Sequence, residues 1–329
     1  MNFNHKLAIV IPAYKLSFFN EAINSIASQT CKDFVLYIGD DGSPYNLEEV
    51  LGLYTSKINI VFKRFEKNIG GRDLVAQWNR CIDMIQGEEW IWLFSDDDVM
   101  DHRCVELFYQ HIQKYPYSNL LHFNIKIINE KNVEIYKSKV FSSHHSTTEF
   151  FSKVLNQKVY SCAVEYIFRR DSFEKVNRFE QFDLAWSTDT ATWMKLSVFS
   201  GISTIDGAFI KWRLSTENIS SYVEHKRIIL RKVNARVEYL NWVKLFFLQN
   251  HLDDITTEME KINWLLTEIV NTSALSYAAK YKLIVKSAEK LNLSLSTFKV
   301  LLIWLYNEFK KRVKEVIGYR YYSKYLNLI

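Results

Sequence analysis

Three consecutive aspartates, Asp96, Asp97 and Asp98, follow an apolar run of strand length that extends from Trp90 to Phe94. Such a run, bounded by polar residues, is typical of a buried strand in a parallel sheet. Ligands of open α/β sheets bind beyond the carboxyl ends of these strands, so we expect the carboxylates to face a cleft. Adjacent carboxylates repel one another unless a positive charge lies among them, and a hard divalent cation suits carboxylate oxygens. The alternative is a solvated acidic turn that caps the next helix.

Strand and helix patterns alternate around this motif. Strands are predicted at residues 7–11, 34–38, 58–62 and 90–94, and apolar residues at helical spacing follow the first, third and fourth of them. This alternation predicts right-handed βαβ units and an α/β fold with a doubly wound, Rossmann-like, mainly parallel sheet. A hairpin is predicted at 120–136, and a further strand at 164–170.

Polar or conformationally special residues follow each of the four strands. They are Pro12, Ala13, Tyr14, Asp40, Asp41, Asn68, Gly70, Arg72 and the three aspartates. An aromatic ring can stack on a base, a carboxylate can accept a base N–H, glycine lets the backbone approach phosphate, and arginine donates to phosphate. Each residue alone has an ordinary structural explanation. Together on one sheet edge they favour a metal-dependent nucleotide site.

The composition is that of a folded globular protein, with 48% hydrophobic and 24% charged residues in a chain of 329. The four cysteines are scattered, which favours reduced packing residues of a cytosolic chain. We expect no signal peptide, and no run reaches the roughly 20 apolar residues of a spanning helix. Residues 226–329 hold 18 Lys and Arg against 9 Asp and Glu, a charge of +9, whereas 1–225 carry −4. Nucleic acid is disfavoured because no recognition motif accompanies the basic residues.

The first 220 or so residues resemble a GT-A glycosyltransferase of family 2, of the bacterial surface-polysaccharide type. The matching segments are Val10–Tyr14, Ile26–Thr30, Asp40–Ser43, Asn68–Gly70, Gln77–Cys81 and Ser95–Val99. The resemblance implies a GT-A catalytic domain at 1–225, with a nucleotide-binding half at 1–115 and an acceptor half at 116–225. The region 226–329 is helical by pattern and forms a C-terminal extension.

The resemblance also implies a nucleotide-sugar donor, with a UDP-sugar expected, and Mg²⁺ or Mn²⁺ as cofactor. Pro12, Ala13 and Tyr14 would border the base, and either Asp40 or Asp41 would contact it. In the triplet, the resemblance implies that Asp97 lies near the ribose or the sugar and that Asp98 is the ligand of the metal that bridges the diphosphate. Either Asp96 or Asp97 would be the first carboxylate of the family's DxD motif. Asp96 is therefore the second candidate metal ligand.

Two later segments carry the remaining candidates. Residues 187–195 resemble the family segment in which an aspartate opens a helix with a tryptophan on its next turn, which makes Asp189 the candidate general base. The alternative is a structural carboxylate favoured by the helix dipole, and Asp183 and Glu180 are less favoured substitutes for the base. Residues 211–220 resemble the mobile segment that closes over the diphosphate, which makes Arg213 a candidate phosphate contact.

We therefore expect a metal-dependent inverting glycosyltransferase that acts on a saccharide acceptor, lipid-linked by resemblance, in the synthesis of a surface polysaccharide such as capsule or O-antigen. The alternatives are a metal-dependent nucleotidyltransferase and a non-catalytic subunit that binds nucleotide sugars. A cytoplasmic location at the inner face of the membrane is expected, because the basic tail contains the amphipathic segment Phe298–Phe309. The alternative for the tail is a helical subdomain packed on the catalytic core.

Overall fold

The four predicted strands and the three predicted helices are present in the first 114 residues, together with a helix after the second strand and a short strand after the fourth. The elements are β1 (Leu7–Ala13), α1 (Phe19–Ala27), β2 (Val35–Asp40), α2 (Leu47–Gly52), β3 (Asn59–Arg64), α3 (Leu74–Ile82), β4 (Trp90–Leu93), β5 (Val99–Met100) and α4 (Cys104–Lys114). The computed structural model describes residues 6–136, 139–218, 225–270, 272–294, 299 and 306.

The second part of the chain contains the two longest strands and most of the helices among the described residues. Its strands are β6 (Leu120–Ile128), β7 (Glu134–Tyr136), β8 (His144–His145), β9 (Tyr166–Arg169) and β10 (Ile202–Arg213). Its helices are α5 (Thr147–Leu155), α6 (Arg170–Lys175), α7 (Thr188–Ser197), α8 (Lys226–Gln249), α9 (Glu258–Val270) and α10 (Tyr277–Lys290). The predicted hairpin is confirmed, because β6 pairs antiparallel with β7.

The ten strands found in the described residues form one sheet in the order β3-β2-β1-β4-β9-β6-β10-β5, with β7 on β6 and β8 on β10. Strands β3, β2, β1 and β4 are parallel, β10 is parallel to β6, and β9 runs antiparallel between β4 and β6. The α/β fold with a mainly parallel sheet is therefore confirmed. The chain passes outward from β1 to β3 and then returns to place β4 on the other side of β1. The carboxyl ends of β1 and β4 therefore flank the switch point at which open sheets bind ligands.

Aromatic side chains pack around the strand that precedes the aspartates. Trp90 meets Phe108 edge to face with ring centroids 5.5 Å apart, and Trp92 stacks on Phe123 at 5.5 Å. Trp92 Nε1 also donates to the carbonyl oxygen of Val164 at 2.7 Å. Burial of a large apolar side chain contributes about 1.5–3 kcal/mol. Strand β4 is therefore firmly packed, and its hydrogen bond to Val164 holds the segment just before β9.

The described residues fall into two compact units, one within residues 1–222 and 242–255 and the other within 223–241 and 256–329. The second unit contains α9 and α10, which confirms the helical character expected after residue 226. Inside it Arg236 forms an ion pair with Glu268 at 2.6 Å. None of the helices in the described part of the chain is long and apolar enough to cross a bilayer. The predicted amphipathic segment Phe298–Phe309 lies outside the described residues, apart from Lys299 and Tyr306.

Candidate functional site

Hydrogen bonds join the turn after β1 to the turn after β4. Asp96 Oδ2 accepts the backbone N–H groups of Tyr14 and Lys15, each at 2.8 Å. One carboxylate of the triplet is therefore used to hold the two strand ends together at the switch point. This role follows from the parallel pairing of β1 with β4, in which Val10 lies opposite Leu93.

A cleft of about 550 Å³ opens beside these turns. Of the residues predicted to form a site, its lining includes Pro12, Ala13, Tyr14, Asp41, Asn68, Gly70, Asp96, Asp97, Asp98 and Asp189. They come from the ends of four strands and from the start of α7, so the predicted convergence on one sheet edge is observed. The volume is within the range of small-molecule and cofactor sites. What each residue binds stays a prediction.

A lysine that the sequence analysis did not single out lies among the three aspartates. Lys15 Nζ forms an ion pair with Asp97 and lies 3.5 Å from Asp96 Oδ1. Burial would lower the pKa of Lys15, but the charges of Asp96 and Asp97 outweigh it and raise the pKa above its ordinary value. Adjacent carboxylates repel one another unless a positive charge lies among them, and the chain itself supplies that charge.

Asp98 has a different environment from its two neighbours. It is 1% exposed, and its Oδ1 accepts the backbone N–H of Arg213 at 2.6 Å. Burial, together with the charge of Asp97, raises the pKa of Asp98 well above its ordinary value. Within the described ranges no lysine or arginine side chain forms an ion pair with Asp98. A nearby cation would therefore favour its ionised form.

Arg213 does not line the cleft, which differs from its predicted role as a phosphate contact. Its side chain is fully buried. The guanidinium donates to the carbonyl oxygens of Asp97 at 2.8 Å and Asn129 at 3.2 Å and to Asn132 Oδ1 at 2.8 Å, and it pairs with Glu21 at 2.7 Å. These partners hold the aspartate turn against the β6–β7 hairpin and α1. The corrected role is structural support for the triplet.

The two aspartates at the end of β2 also differ in environment. Asp40 is fully buried and pairs with Arg64 at 2.8 Å, and it is not part of the cleft lining. Asp41 lines the cleft, accepts the N–H of Gly70 at 2.8 Å and forms an ion pair with Arg80. Of the two residues predicted to contact the base, the structure therefore places Asp41 at the cleft. Arg80, which the sequence analysis missed, positions it.

The turn after β3 places Gly70 and Arg72 in different clefts. A Cβ atom at Gly70 would lie 2.7 Å from Asp41 Oδ2, so this close approach requires glycine. Arg72 is exposed and lines a neighbouring cleft of about 300 Å³ that also contains Asp183, and Leu74 lines both clefts. The predicted contact of Arg72 with the nucleotide sugar is therefore not supported by its position.

Asp189 lies in the first turn of α7, as predicted, and lines the larger cleft. The helix is anchored by Trp193, which stacks on Tyr166 with centroids 4.6 Å apart. Burial raises the pKa of Asp189 to about 6, although its hydrogen bonds from Thr190, including one of 2.7 Å from the backbone N–H, lower it. A carboxylate with this pKa is ionised at neutral pH and is suited to accept a proton.

The two substitutes for Asp189 lie elsewhere. Asp183 lines the neighbouring cleft, and Glu180 pairs with Lys195 at 3.2 Å. Between them and α7, Leu184 and Ser187 adopt positive φ angles of 59° and 72°. Such conformations cost about 1–3 kcal/mol each and cluster at functional sites. The approach to α7 is therefore strained, and it is the position of Asp189 in the same cleft as the triplet that favours it over Asp183.

The pKa of Asp189 predicts the pH dependence of turnover. If Asp189 accepts a proton from the acceptor, it must be ionised, so kcat/KM should fall tenfold per pH unit below about 6 and should level off above it. The measurement is kcat/KM for the acceptor, at saturating donor, between about pH 5 and pH 8. A profile that stays flat through this range would exclude Asp189 as the titrating base.

The carboxylates can hold a divalent cation only together with other ligands. No three His, Cys, Asp or Glu side chains among the described residues are arranged as a metal cage. Mg²⁺ is usually bound by one or two carboxylates and by substrate phosphates. Asp98, which is buried and has no ion pair within the described ranges, fits such shared coordination, with Asp96 beside it.

Comparison with known sequences identifies related proteins. The profile for "Glycosyl transferase family 2" matches residues 8–177, just over half of the chain. The glycosyltransferase GlyG of Streptococcus pneumoniae serotype 4 is 27% identical over 109 residues. That alignment covers 33% of this chain and 35% of GlyG, so the chain matches about a third of that relative.

Solved structures share the fold. The 1–349 fragment of S. aureus TarS, in complex with UDP-GlcNAc, superposes with a TM-score of 0.56 at 15% identity, covering 87% of this chain and 89% of that one. The mannosyltransferase PcManGT from Pyrobaculum calidifontis, in complex with GDP-Man and Mn²⁺, superposes with a TM-score of 0.50 at 12% identity, covering 91% and 79%. At these identities the likeness shows the GT-A fold alone.

Proposed function

We propose that this chain, which belongs to glycosyltransferase family 2, transfers the sugar of a nucleotide-sugar donor, with inversion, to a hydroxyl of a saccharide acceptor with the help of Mg²⁺ or Mn²⁺. The observation that carries the proposal is the single cleft that joins the aspartate triplet to Asp189. Family membership argues against the two alternatives, a nucleotidyltransferase and a non-catalytic binding subunit.

The nucleotide end of the donor is assigned to the ends of the first three strands. Tyr14 is 43% exposed, so its ring is available for stacking on a base. Asp41 supplies a carboxylate at the nucleotide end of the cleft, and the turn with Asn68 and Gly70 lets its own backbone come close to a phosphate. TarS was solved with UDP-GlcNAc and PcManGT with GDP-Man. We propose a UDP-sugar as the donor of this chain.

The sugar and diphosphate are assigned to the triplet. Asp98 and Asp96 would hold the metal ion, and Asp97 would lie near the ribose or the sugar. When bound, the ion neutralises the negative charge that develops on the departing nucleoside diphosphate. The buried setting of the carboxylates supports this assignment, because electrostatic interactions are stronger where water is excluded.

Asp189 is proposed to remove the proton from the attacking hydroxyl of the acceptor. Inversion requires that hydroxyl to approach the anomeric carbon from the face opposite the leaving diphosphate. Asp189 comes from α7 and the triplet from the end of β4, so two separate elements supply the two groups. Holding donor and acceptor in line between them supplies much of the acceleration.

A donor screen tests the proposal. The full chain is incubated with UDP- and GDP-sugars, Mn²⁺ and saccharide acceptors, and the released nucleotide and the anomeric configuration of the product are determined. Release of nucleoside diphosphate with an inverted product is the expected result. Release of pyrophosphate would indicate nucleotidyl transfer, and nucleotide binding without turnover with any acceptor would indicate a binding subunit.

The acceptor is proposed to be a lipid-linked saccharide at the inner face of the cytoplasmic membrane. The support is the charge of +9 on residues 226–329, because a basic residue near an anionic surface contributes about 1 kcal/mol. The amphipathic segment Phe298–Phe309 and the basic residues Lys310, Lys311 and Arg312 that follow it lie largely outside the described residues, so this part of the proposal rests on sequence.

Salt-dependent binding to anionic vesicles is expected. The full chain should co-sediment with anionic vesicles at low salt and be released at high salt, because charge attraction is screened over about 10 Å at 0.1 M. Neutral vesicles are the control for the lipid, and a variant with Lys310, Lys311 and Arg312 changed to Gln is the control for the chain. Equal sedimentation of this variant and the unchanged chain would remove the tail from the membrane proposal.

A further inference from the structure

Among the residues that the structure describes, Lys15 is the one lysine or arginine that lines the cleft of about 550 Å³ beside the triplet. The guanidinium of Arg213 is buried behind the triplet, and that of Arg80 pairs with Asp41. A donor diphosphate carries negative charges that require cationic partners. Apart from a metal ion, the described lining offers such a partner only at Lys15.

The triplet holds Lys15 by both its backbone and its side chain. The backbone N–H donates to Asp96 at 2.8 Å, and the ammonium pairs with Asp97 and lies 3.5 Å from Asp96. The side chain is 25% exposed, whereas those of the two aspartates are 6% and 5% exposed. The backbone is therefore fixed, while the flexible four-carbon stem leaves the ammonium free to exchange partners within the cleft.

Lys15 and a divalent cation carry like charges and would share the carboxylate of Asp96, because Lys15 lies against Asp96 and Asp97 and the metal is assigned to Asp98 and Asp96. Without donor, the ammonium neutralises part of the triplet, so it weakens the attraction of the site for a metal ion. A donor diphosphate changes this balance, because it offers the ammonium a second anionic partner and adds its own oxygens to the coordination of the metal.

We propose that Lys15 is the cation of the aspartate triplet in the donor-free protein and becomes a binding residue for the donor's diphosphate when donor and metal enter together. This inference rests on the proposed function, because it assumes a diphosphate donor. The exchange of partners by Lys15 would make the affinity of the site for the metal ion depend on whether donor is bound. No bond is formed or broken in the exchange, since only ion pairs change.

The test measures two affinities without any turnover. Mn²⁺ binding to the donor-free protein is followed by electron paramagnetic resonance of free Mn²⁺, and UDP and GDP binding at saturating Mn²⁺ is followed by calorimetry. Lys15→Met should bind Mn²⁺ at least about tenfold more tightly and the nucleotide at least about tenfold more weakly, because one neighbouring charge shifts such equilibria by about one to three orders of magnitude. Lys15→Arg, which keeps the charge, should bind Mn²⁺ as weakly as the unchanged chain.

Lys175→Met is the matched control. Lys175 pairs with Asp171 at 3.3 Å on the exposed surface, and its replacement by methionine removes the same charge as Lys15→Met. It should change neither affinity. If Lys15→Met fails to fold, Lys15→Gln, which removes the charge but can still donate to Asp97, replaces it and should show the same two changes in affinity.

The outcomes separate this inference from the proposed function. If the unchanged chain binds neither UDP nor GDP with or without Mn²⁺, the proposed function fails. If it binds one of them and the Lys15 variants bind it equally well, Lys15 is not a diphosphate contact. If Mn²⁺ affinity is the same in Lys15→Met and in the control, the two cations do not compete.

Discussion

Replacing Asp189 by asparagine is expected to lower kcat by roughly 10²–10⁴-fold, the range contributed by a positioned general base. Asparagine is nearly isosteric and keeps the side-chain oxygen that accepts the N–H of Thr190, so the start of α7 should be preserved. The lost interaction acts in the transition state, so the dissociation constant of the donor nucleotide should stay nearly constant. Steady-state transfer and calorimetry with the nucleotide measure the two quantities.

Asp183→Asn is the matched control for this prediction, because Asp183 precedes the same helix but lines the neighbouring cleft. It should leave kcat within a few-fold of that of the unchanged chain. If Asp189→Asn loses donor affinity and turnover equally, Asp189 supports the structure of the helix start. If it keeps full activity and Asp183→Asn does not, the base is Asp183.

The same substitution should raise the stability of the fold at neutral pH. The pKa of Asp189 is raised by burial, so the folded chain binds this proton more tightly than the unfolded chain. Stability therefore decreases as the pH rises from the ordinary value for Asp towards about 6, and the ionised carboxylate destabilises the fold above that. A higher unfolding temperature of Asp189→Asn at neutral pH, combined with lost turnover, would indicate a residue kept for chemistry.

The sheet and most of the cleft could be predicted from sequence because both depend on short-range patterns. Strand-length apolar runs fix β1 to β4, and the residue after a strand must lie at the sheet edge. Parallel pairing places the residues that follow these strands at one sheet edge, where Tyr14, Asp41 and Asp96 lie. The role of Asp189 and its place at the start of a helix come from the family resemblance, and α7 begins at Thr188.

The roles of three basic residues could not be predicted, because they depend on where long side chains turn after the backbone is placed. Arg213 is the last residue of β10, a position typical of cleft residues, but its guanidinium turns inward to Glu21, 192 positions away. Arg72 turns to the neighbouring cleft. Lys15 directly follows Tyr14, but its pairing with Asp97 requires the order in which β4 lies beside β1.

Replacing Asp98 by asparagine is the second large effect that we expect, a loss of at least about 10²-fold in kcat, comparable with removal of one electrostatic stabiliser of a transition state. The amide oxygen can still accept the N–H of Arg213, so the turn that carries the triplet should keep its shape. The free energy of unfolding should stay the same or rise, because the variant removes a buried carboxyl whose pKa lies well above its ordinary value.

The measurements are kcat at saturating Mn²⁺, the Mn²⁺ concentration for half-maximal rate, and the unfolding temperature. Asp171→Asn, on the exposed face of α6, is the matched control and should behave as the unchanged chain. Asp98 is assigned to the metal, whereas Lys15 pairs with Asp96 and Asp97. Asp98→Asn should therefore raise the Mn²⁺ concentration for half-maximal rate without disturbing the ion pairs of Lys15. Near-native activity of Asp98→Asn with Mn²⁺ would show that the assignment of Asp98 to the metal is wrong.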